Sequence, residues 1–516
     1  MGSVAAADTN EPIPLLQLGR PSPPADDSIV SDDDLVNSSP TRTDDVICEG
    51  NTWTAAAHII TGVIGSGVLS LSWSMARLGW IWAPLLMMLF AALTLASTLL
   101  ICDCYRSPDP DYGPVRNRSY IAAVQQNLGK KNAWICALLI QMNLYGTGIA
   151  YTITAAICMR FFLLSLTTFT CFSSGQCVNQ INGPFFTIHR AIQRSNCYRK
   201  HGENAPCEFG NTLNMLFFGV VQIFVSQIPD FRSMEWLSIV AAIMSFAYSS
   251  IGLGLGAAKV IGNKVIEGSV HGVSTSSAIQ KVWGVSQAVG DIAFAYPYPM
   301  IVLEIQDTLK TPPSERRTMK KASVISIYIT TFFYLSCGGF GYAAFGDQTP
   351  GNLLTGFGTY GPYWLVDFAN ACVVLHLIGG YQVYSQPLFA MVDKWLVDRF
   401  PRSSFFNRNY ALIKLPLLPH LSLNLERLCF RAAYVVSTTA VAMVFPYFNQ
   451  VLGVLGTINF WPLSVYFPVE MWLRQKELRP WTTGWTVFKS VSIICFVINM
   501  FIFAGSIQGI MATRFS

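Results

Sequence analysis

From Trp53 to the C-terminus the chain alternates apolar runs with shorter polar connections. Eleven runs reach the roughly twenty residues that an α-helix needs to cross a bilayer. They lie near 53–77, 80–101, 133–164, 211–228, 234–258, 282–305, 322–345, 363–391, 428–446, 450–472 and 485–511. The every-second-residue alternation of a membrane β-barrel is absent. The pattern predicts an all-α polytopic membrane protein with eleven transmembrane helices. The first fifty residues are different. Pro21, Pro23, Pro24 and the run Asp32, Asp33, Asp34 leave too little apolar surface to offset the entropy of ordering. Residues 1–50 are expected to form a disordered acidic cytosolic tail, and 51–516 the transmembrane domain. The tail has no basic stretch leading into an apolar one, so it does not read as a signal peptide.

Composition narrows the class. Of the 516 residues 52% are hydrophobic and 12% charged, about half the quarter usual in globular chains. A net charge of +5 without an isolable basic domain excludes a nucleic-acid partner. With the tail inside, the loops after even-numbered runs carry about twenty Lys and Arg, among them Arg106, Arg116, Arg118, Arg316 and Lys320. The other loops and the C-terminus carry about nine. That excess predicts a cytosolic N-terminus and, from the odd helix count, an extracellular C-terminus. Trp53, Trp80, Trp82, Trp134 and Trp364 sit at run ends, where indoles anchor to the membrane interface.

Two runs carry breaks. The first holds Gly62, Gly65 and Gly67 within HIITGVIGSGVLS, and the sixth holds Pro297 and Pro299 within GDIAFAYPYPMIVLE. Interior glycine costs a helix about 1 kcal/mol and interior proline about 3. Backbone freed at membrane depth is tolerated where it lines a cavity or is buried in protein. Breaks five helices apart are the expected mark of a 5+5 inverted repeat, whose half-helix ends meet at the bilayer midplane. Amide N–H groups there suit an anion and carbonyls a cation. An α-amino acid carries both. Its carboxylate is expected on the N–H groups of Ser66, Gly67 and Val68, with Gly65 giving clearance. Its ammonium is expected near the carbonyls of Val63, Ile64, Phe294, Ala295 and Tyr296. Kinks used only for packing are the competing reading.

Titratable groups within the runs are the candidates for proton coupling, since charge at that depth usually marks a pathway. His58 precedes Gly62 and Gly65 at i+4 and i+7, and His376 stacks on Gly380. Asp291 opens the broken part of run six, where the alternative is an N-cap of the inner half-helix. Glu304, Glu470 and Lys489 lie near helix ends and read as snorkelling. Tyr145, Thr147, Asn459, Phe460 and Trp461 are weaker pocket candidates. Thirteen cysteines are too dilute for a disulfide scaffold and show no zinc spacing, so neither metal nor cofactor is expected. The outer loop after run three holds Cys171, Cys177, Cys197 and Cys207. Four cysteines allow three pairings, and Cys197 with Cys207 would close a short loop, with free thiols the alternative. No HExxH, GxSxG or Walker loop supports an enzyme.

Several blocks are long and specific: AHIITGVIGSGVLSLSWSMARLGW, LSIVAAIMSFAYSSIGLGLG, GDIAFAYPYPMIVLEIQDTLKTPPSERRTMKKAS, GYAAFGDQTPGNLLTGFG and FANACVVLHLIGGYQVYSQPLF. They closely resemble the plant amino acid permeases of the amino acid/auxin permease family, within the amino acid–polyamine–organocation superfamily. The resemblance runs from about residue 48 to the end. It implies a proton-coupled amino acid importer of the plasma membrane with the LeuT-like fold, in which the proton is the coupling ion. Matching positions include His58, Gly65, Ser66, Gly67, Asp291 and His376, and the family's outer-loop cysteine pair falls on Cys197 and Cys207. The chain departs from the family pattern at residues 161–190, which read as an in-frame insertion, and at Gly361, where glutamate is usual. The competing readings are a related auxin or γ-aminobutyrate carrier and, from another class, an amino acid receptor that does not transport.

Overall fold

The computed structural model describes residues 50–174, 211–227, 235–296, 298–358, 360, 362–400, 409–411 and 422–515. The acidic tail up to residue 49, the 175–190 part of the insertion, Pro297, Gly361 and the Cys197–Cys207 candidate pair lie outside the described residues.

The chain begins with helix α1 (Thr52–Val63), whose N-cap Asn51 accepts the amides of Trp53 and Thr54 at 2.8 and 3.1 Å. Gly50, the last residue assigned to the tail, is fixed: its N–H donates to the Thr308 carbonyl at 3.1 Å, and its carbonyl accepts from Lys310 at 3.0 Å. Helix α2 (Gly67–Asp103) holds Gly79 at φ 82°, ψ 177°, so two helices meet there. A Cβ at Gly79 would strike the Val270 carbonyl, and only glycine adopts that φ without strain. The boundary falls where the first two apolar runs divide.

Helices α3 (Tyr120–Leu128), α4 (Lys130–Ser174), α5 (Thr212–Val225), α6 (Glu235–Asn263) and α7 (Ala278–Phe294) follow. A short 3₁₀ turn, Tyr298–Ile301, leads into α8 (Val302–Gln306). Then come α9 (Glu315–Phe345), α10 (Leu353–Gly356), α11 (Tyr363–Arg399), α12 (Leu425–Val444) and α13 (Phe448–Trp461). A π-helical turn, Pro462–Tyr466, joins α13 to α14 (Phe467–Gln475), and α15 (Thr483–Phe515) ends the chain. Helix α4 runs straight into the 161–190 insertion, which lengthens it as far as Ser174. Two antiparallel pairs, Arg106–Ser107 with Val115–Arg116 and Asn409–Ala411 with Ser422–Asn424, sit on loops.

Among the described residues nine helical segments are long and apolar enough to cross a membrane. Helices α1 and α2 pack on α9, α4 on α11, α11 on α6, and α7 on α13, with α15 along α7 and α13. Small residues permit the closest approaches. A Cβ at Gly256 in α6 would lie 3.1 Å from that of Phe340 in α9, so the GLGLG run serves helix packing. Large apolar side chains face outward along α2 (Ile81, Leu85, Met88, Leu89) and α15 (Ile493, Val497, Phe501), as lipid contact requires. Trp53, Trp82, Trp134 and Trp364 are exposed. Trp80 is half-buried, its ring packed on Tyr342 with centroids 5.0 Å apart.

One end of the bundle is held by ion pairs. Asp103 at the foot of α2 meets Arg316 at 3.0 Å and Lys320 at 2.5 Å; Arg316 also holds Asp111 at 2.7 Å. Arg106 pairs with Glu315 at 2.7 Å. The Arg316 guanidinium beside Asp111 holds that carboxyl below the usual carboxylate range.

Candidate functional site

Helical geometry is interrupted at two places near the predicted glycine and proline positions. Helix α1 stops at Val63, Ile64 leaves helical geometry at φ −75°, ψ 84°, and α2 starts at Gly67. Helix α7 stops at Phe294, and the next turn starts at Tyr298. The two gaps face each other. A Cβ on Gly67 would stand 3.4 Å from the Ala295 Cα and 3.6 Å from the Phe294 ring. The Tyr334 hydroxyl, buried on α9, bridges them: the carbonyls of Val63 and Ala295 lie 2.7 and 2.9 Å from it. Its single proton serves one carbonyl at a time, so the arrangement keeps both gaps at one depth.

A cavity opens beside this junction. Val63, Gly65, Ser66, Gly67, Phe294, Ala295 and Thr147, all expected from the sequence, line it; Gly62, Asn143, Tyr151, Met300 and Tyr384 complete it. Its free volume is about 20 Å³, room for roughly one water. Little space is left around its backbone groups.

Several expected residues are displaced from the cavity. Val68 donates its N–H to the Gly65 carbonyl at 3.3 Å, which removes it from the anion donors and leaves Ser66 and Gly67 at this helix start. Ile64 is fully buried, and its carbonyl accepts the Ser245 hydroxyl. Tyr296 is turned into the core, its ring 5.2 Å from that of Tyr334. Tyr145 faces α12, bonding Ser437 at 3.1 Å, because it sits two positions from Thr147 and so on another face. Asn459 and Phe460 line a second, adjoining cavity, while Trp461 turns to α15 and donates to the Ser492 carbonyl at 2.9 Å.

The three titratable candidates separate. His58 is exposed on the outer surface of α1 and lines neither cavity. Its i+7 relation to Gly65 assumed a continuous helix, and the helix ends at Val63 before that relation applies. His376 is buried, with Nδ1 2.9 Å from the Ala241 carbonyl. A carbonyl only accepts, so Nδ1 carries the proton and the neutral ring presents Nε2 as an acceptor. Among the described residues Nε2 has no hydrogen-bond partner, and it lies 3.8 Å from where a Gly65 Cβ would be. Asp291 is fully buried in the last turn of α7, so it does not cap the inner half-helix. Its Oδ2 accepts from Asn449 at 2.9 Å, on the α13 side away from the cavity. Glu304 accepts the Tyr120 N–H at 3.2 Å, and Glu470 pairs with Lys489, so these carboxylates are bonded within the protein.

Two stripes were read only in part from the sequence, which marked Thr147, His376 and Gly380 but not Asn143, Tyr151 or Tyr384. Asn143, Thr147 and Tyr151 recur every fourth residue on α4, as do His376, Gly380 and Tyr384 on α11. Each is one helix face. A Cβ at Gly380 would lie 2.8 Å from the Tyr151 ring, so that glycine makes room for the tyrosine. Tyr151 and Tyr384 meet edge to face at 5.7 Å and close the cavity from the two helices.

Residues 49–512 match the family model described as transmembrane amino acid transporter protein. The chain belongs to that family. It is 52% identical over 470 residues to the probable amino acid permease 7 of Arabidopsis thaliana, covering 90% of this chain and 94% of that one. To amino acid permease 3 of the same plant it is 48% identical over 464 residues, covering 90% and 91%. Among solved structures, MhsT in complex with L-phenylalanine is similar with a TM-score of 0.52 at 13% identity. The match covers 88% of this chain and 98% of that one, and it is a likeness of fold. The chain is thus a multi-pass amino acid transporter of LeuT-like fold, and not an enzyme.

Proposed function

We propose that this transporter is a proton-coupled symporter importing amino acids across the plasma membrane by alternating access. The carrying observation is the pair of facing helix gaps, Val63–Gly67 and Phe294–Tyr298, held by Tyr334 beside a cavity. Counting α1 and the first part of α2 as one interrupted span, dividing α2 at Gly79 and including the short α5 gives eleven spans. The interrupted spans are then the first and sixth, as a 5+5 inverted repeat requires.

In this reading the substrate carboxylate sits on the N–H groups of Ser66 and Gly67, where the α2 N-terminus favours an anion. The ammonium sits at the Val63 and Ala295 carbonyls, taking the one that Tyr334 releases; Val63 also accepts the Gly65 N–H at 2.9 Å. The closed cavity is too small for an amino acid, so entry requires the gaps to part, and closure returns the geometry described above. The coupling proton loads His376 at Nε2, with Nδ1–H kept on the Ala241 carbonyl. Asp291, buried one turn before the second gap, is the other candidate carrier.

The test is a panel of amino acids applied to voltage-clamped oocytes expressing the full chain, at acidic and neutral outside pH. Inward currents that grow on acidification support symport. Amino acid binding without current or counterflow would indicate a receptor, and currents evoked by auxin or γ-aminobutyrate alone would move the substrate class.

A further inference from the structure

The cavity at the helix gaps shares a wall with a second one. Asn143, Phe294 and Met300 line both, and behind them the second cavity is bounded by α13 and the π turn, with Asn459 and Ser464 as its further polar groups. Among the described residues, neither lining contains Asp, Glu, Lys, Arg or His. A charged side chain entering there would lose its hydration with nothing to replace it.

The polar groups present are specific. Asn459 donates from Nδ2 to Asn143 Oδ1 at 3.0 Å and to the Leu455 carbonyl at 2.7 Å, which uses both protons and fixes which way the amide points. Its Oδ1 is therefore a bare acceptor. It is buried, in a residue 7% exposed, and takes no hydrogen bond from the described residues. Asn143, 3% exposed, accepts from Asn459 and spends one Nδ2 proton on the Met300 sulfur at 3.4 Å, a weak acceptor. An open acceptor and an under-used donor thus stand side by side, and Met300, unbranched and easily repacked, forms the partition.

We propose that this annex is the side-chain subsite of the transporter, selecting uncharged hydrogen-bonding side chains and above all a carboxamide, as in glutamine. The substrate NH₂ donates to Asn459 Oδ1, and its carbonyl accepts from Asn143 Nδ2. This rests on the amino acid symport reading. A site whose buried polar groups await a partner discriminates against a substrate of equal reach that lacks one. Methionine is that substrate.

Half-saturating concentrations for glutamine and methionine are measured in oocytes expressing the full chain, with surface biotinylation. The wild type is expected to favour glutamine. Asn459→Leu and, independently, Asn459→Ala are expected to shift the glutamine-to-methionine ratio against glutamine by about tenfold, and Asn143→Leu in the same direction. Equal loss for both substrates in the variants that reach the surface, or an unmoved ratio, overturns the subsite. If no amino acid evokes current in the wild type, the symport reading fails instead. Equilibrium binding of labelled glutamine and methionine to purified wild type and Asn459→Ala then decides the subsite: a tenfold drop in the ratio supports it, and an unchanged ratio refutes it.

Discussion

Gly67 and Gly65 are the residues on which the carboxylate site depends most directly. A Cβ on Gly67 is tolerable at 3.4 Å from the Ala295 backbone, but the γ-methyls of valine would enter the space between the gaps. At Gly65 they would meet the Tyr151 hydroxyl and His376 Nε2, 3.5 and 3.8 Å from the added Cβ. Overpacking of this kind costs about 1–3 kcal/mol, and here the strain falls on the substrate position. Gly67→Val and Gly65→Val are expected to cut uptake by about a hundredfold, the equivalent of about 2.7 kcal/mol, with surface biotinylation near wild type. Retained uptake would remove the gap from the binding site. The histidines give the complementary test. His376→Ala is expected to flatten the pH dependence of the current, and His58→Ala to leave it as it is, since His58 points outward. The glycine pattern made the gap legible. The placement of His58 was less so, because helical spacing carried across Gly65 loses its meaning once the helix has ended. The tyrosines were missed for another reason: in chains rich in aromatics a single tyrosine is unremarked, and only the four-residue recurrence with Asn143 and Thr147 marks Tyr151 as facing the cavity.

At the scale of elements, apolar run length predicted the helices and their order, while the joints needed the backbone. Gly79 is the clearest joint. Its positive φ and the Val270 carbonyl beside it let α2 turn where the sequence shows only a short polar interval. Gly79→Ala is expected to cost about 1–3 kcal/mol of stability from strain, read as a lowered Tm in detergent, with substrate selectivity intact. A Tm equal to wild type would mean the joint relaxes freely. The π turn at Pro462–Tyr466 is the joint that sequence did not reveal. Pro462 alone reads as an ordinary kink, yet the wider turn places Leu463 and Ser464 along the second cavity, and π turns recur at functional sites. The run at 133–164 was legible, while the insertion left open a longer helix or a disordered outer loop; α4 runs on to Ser174, since the insertion begins with residues as apolar as the helix before it.

For the whole molecule, the contacts among loops say which ends share a side of the membrane. Gly50 pairs with Leu309, Tyr105 donates to Asp307 at 2.7 Å, and Arg106 holds Glu315, so the start of α1, the foot of α2 and the α8–α9 loop gather at one end. Gln475 reaches the same end, donating to the carbonyls of Asp103 and Arg106 at 2.9 and 2.7 Å. Helix α15 leaves from there and, at 33 residues, spans about 50 Å, more than a bilayer core of about 30 Å. Its end is therefore expected on the side opposite the start of α1. Arg and Lys collect at the shared end, among them Arg106, Arg116, Arg118, Arg316 and Lys320, and by the positive-inside rule we propose that this end faces the cytosol. An epitope at the C-terminus is accordingly expected to bind antibody on intact cells, and one in the first 49 residues only after permeabilisation. If both epitopes needed permeabilisation, α15 would not cross, the span count would become even, and the outward C-terminus would be lost. If both were reached on intact cells, the basic end would face outward and the orientation would be reversed.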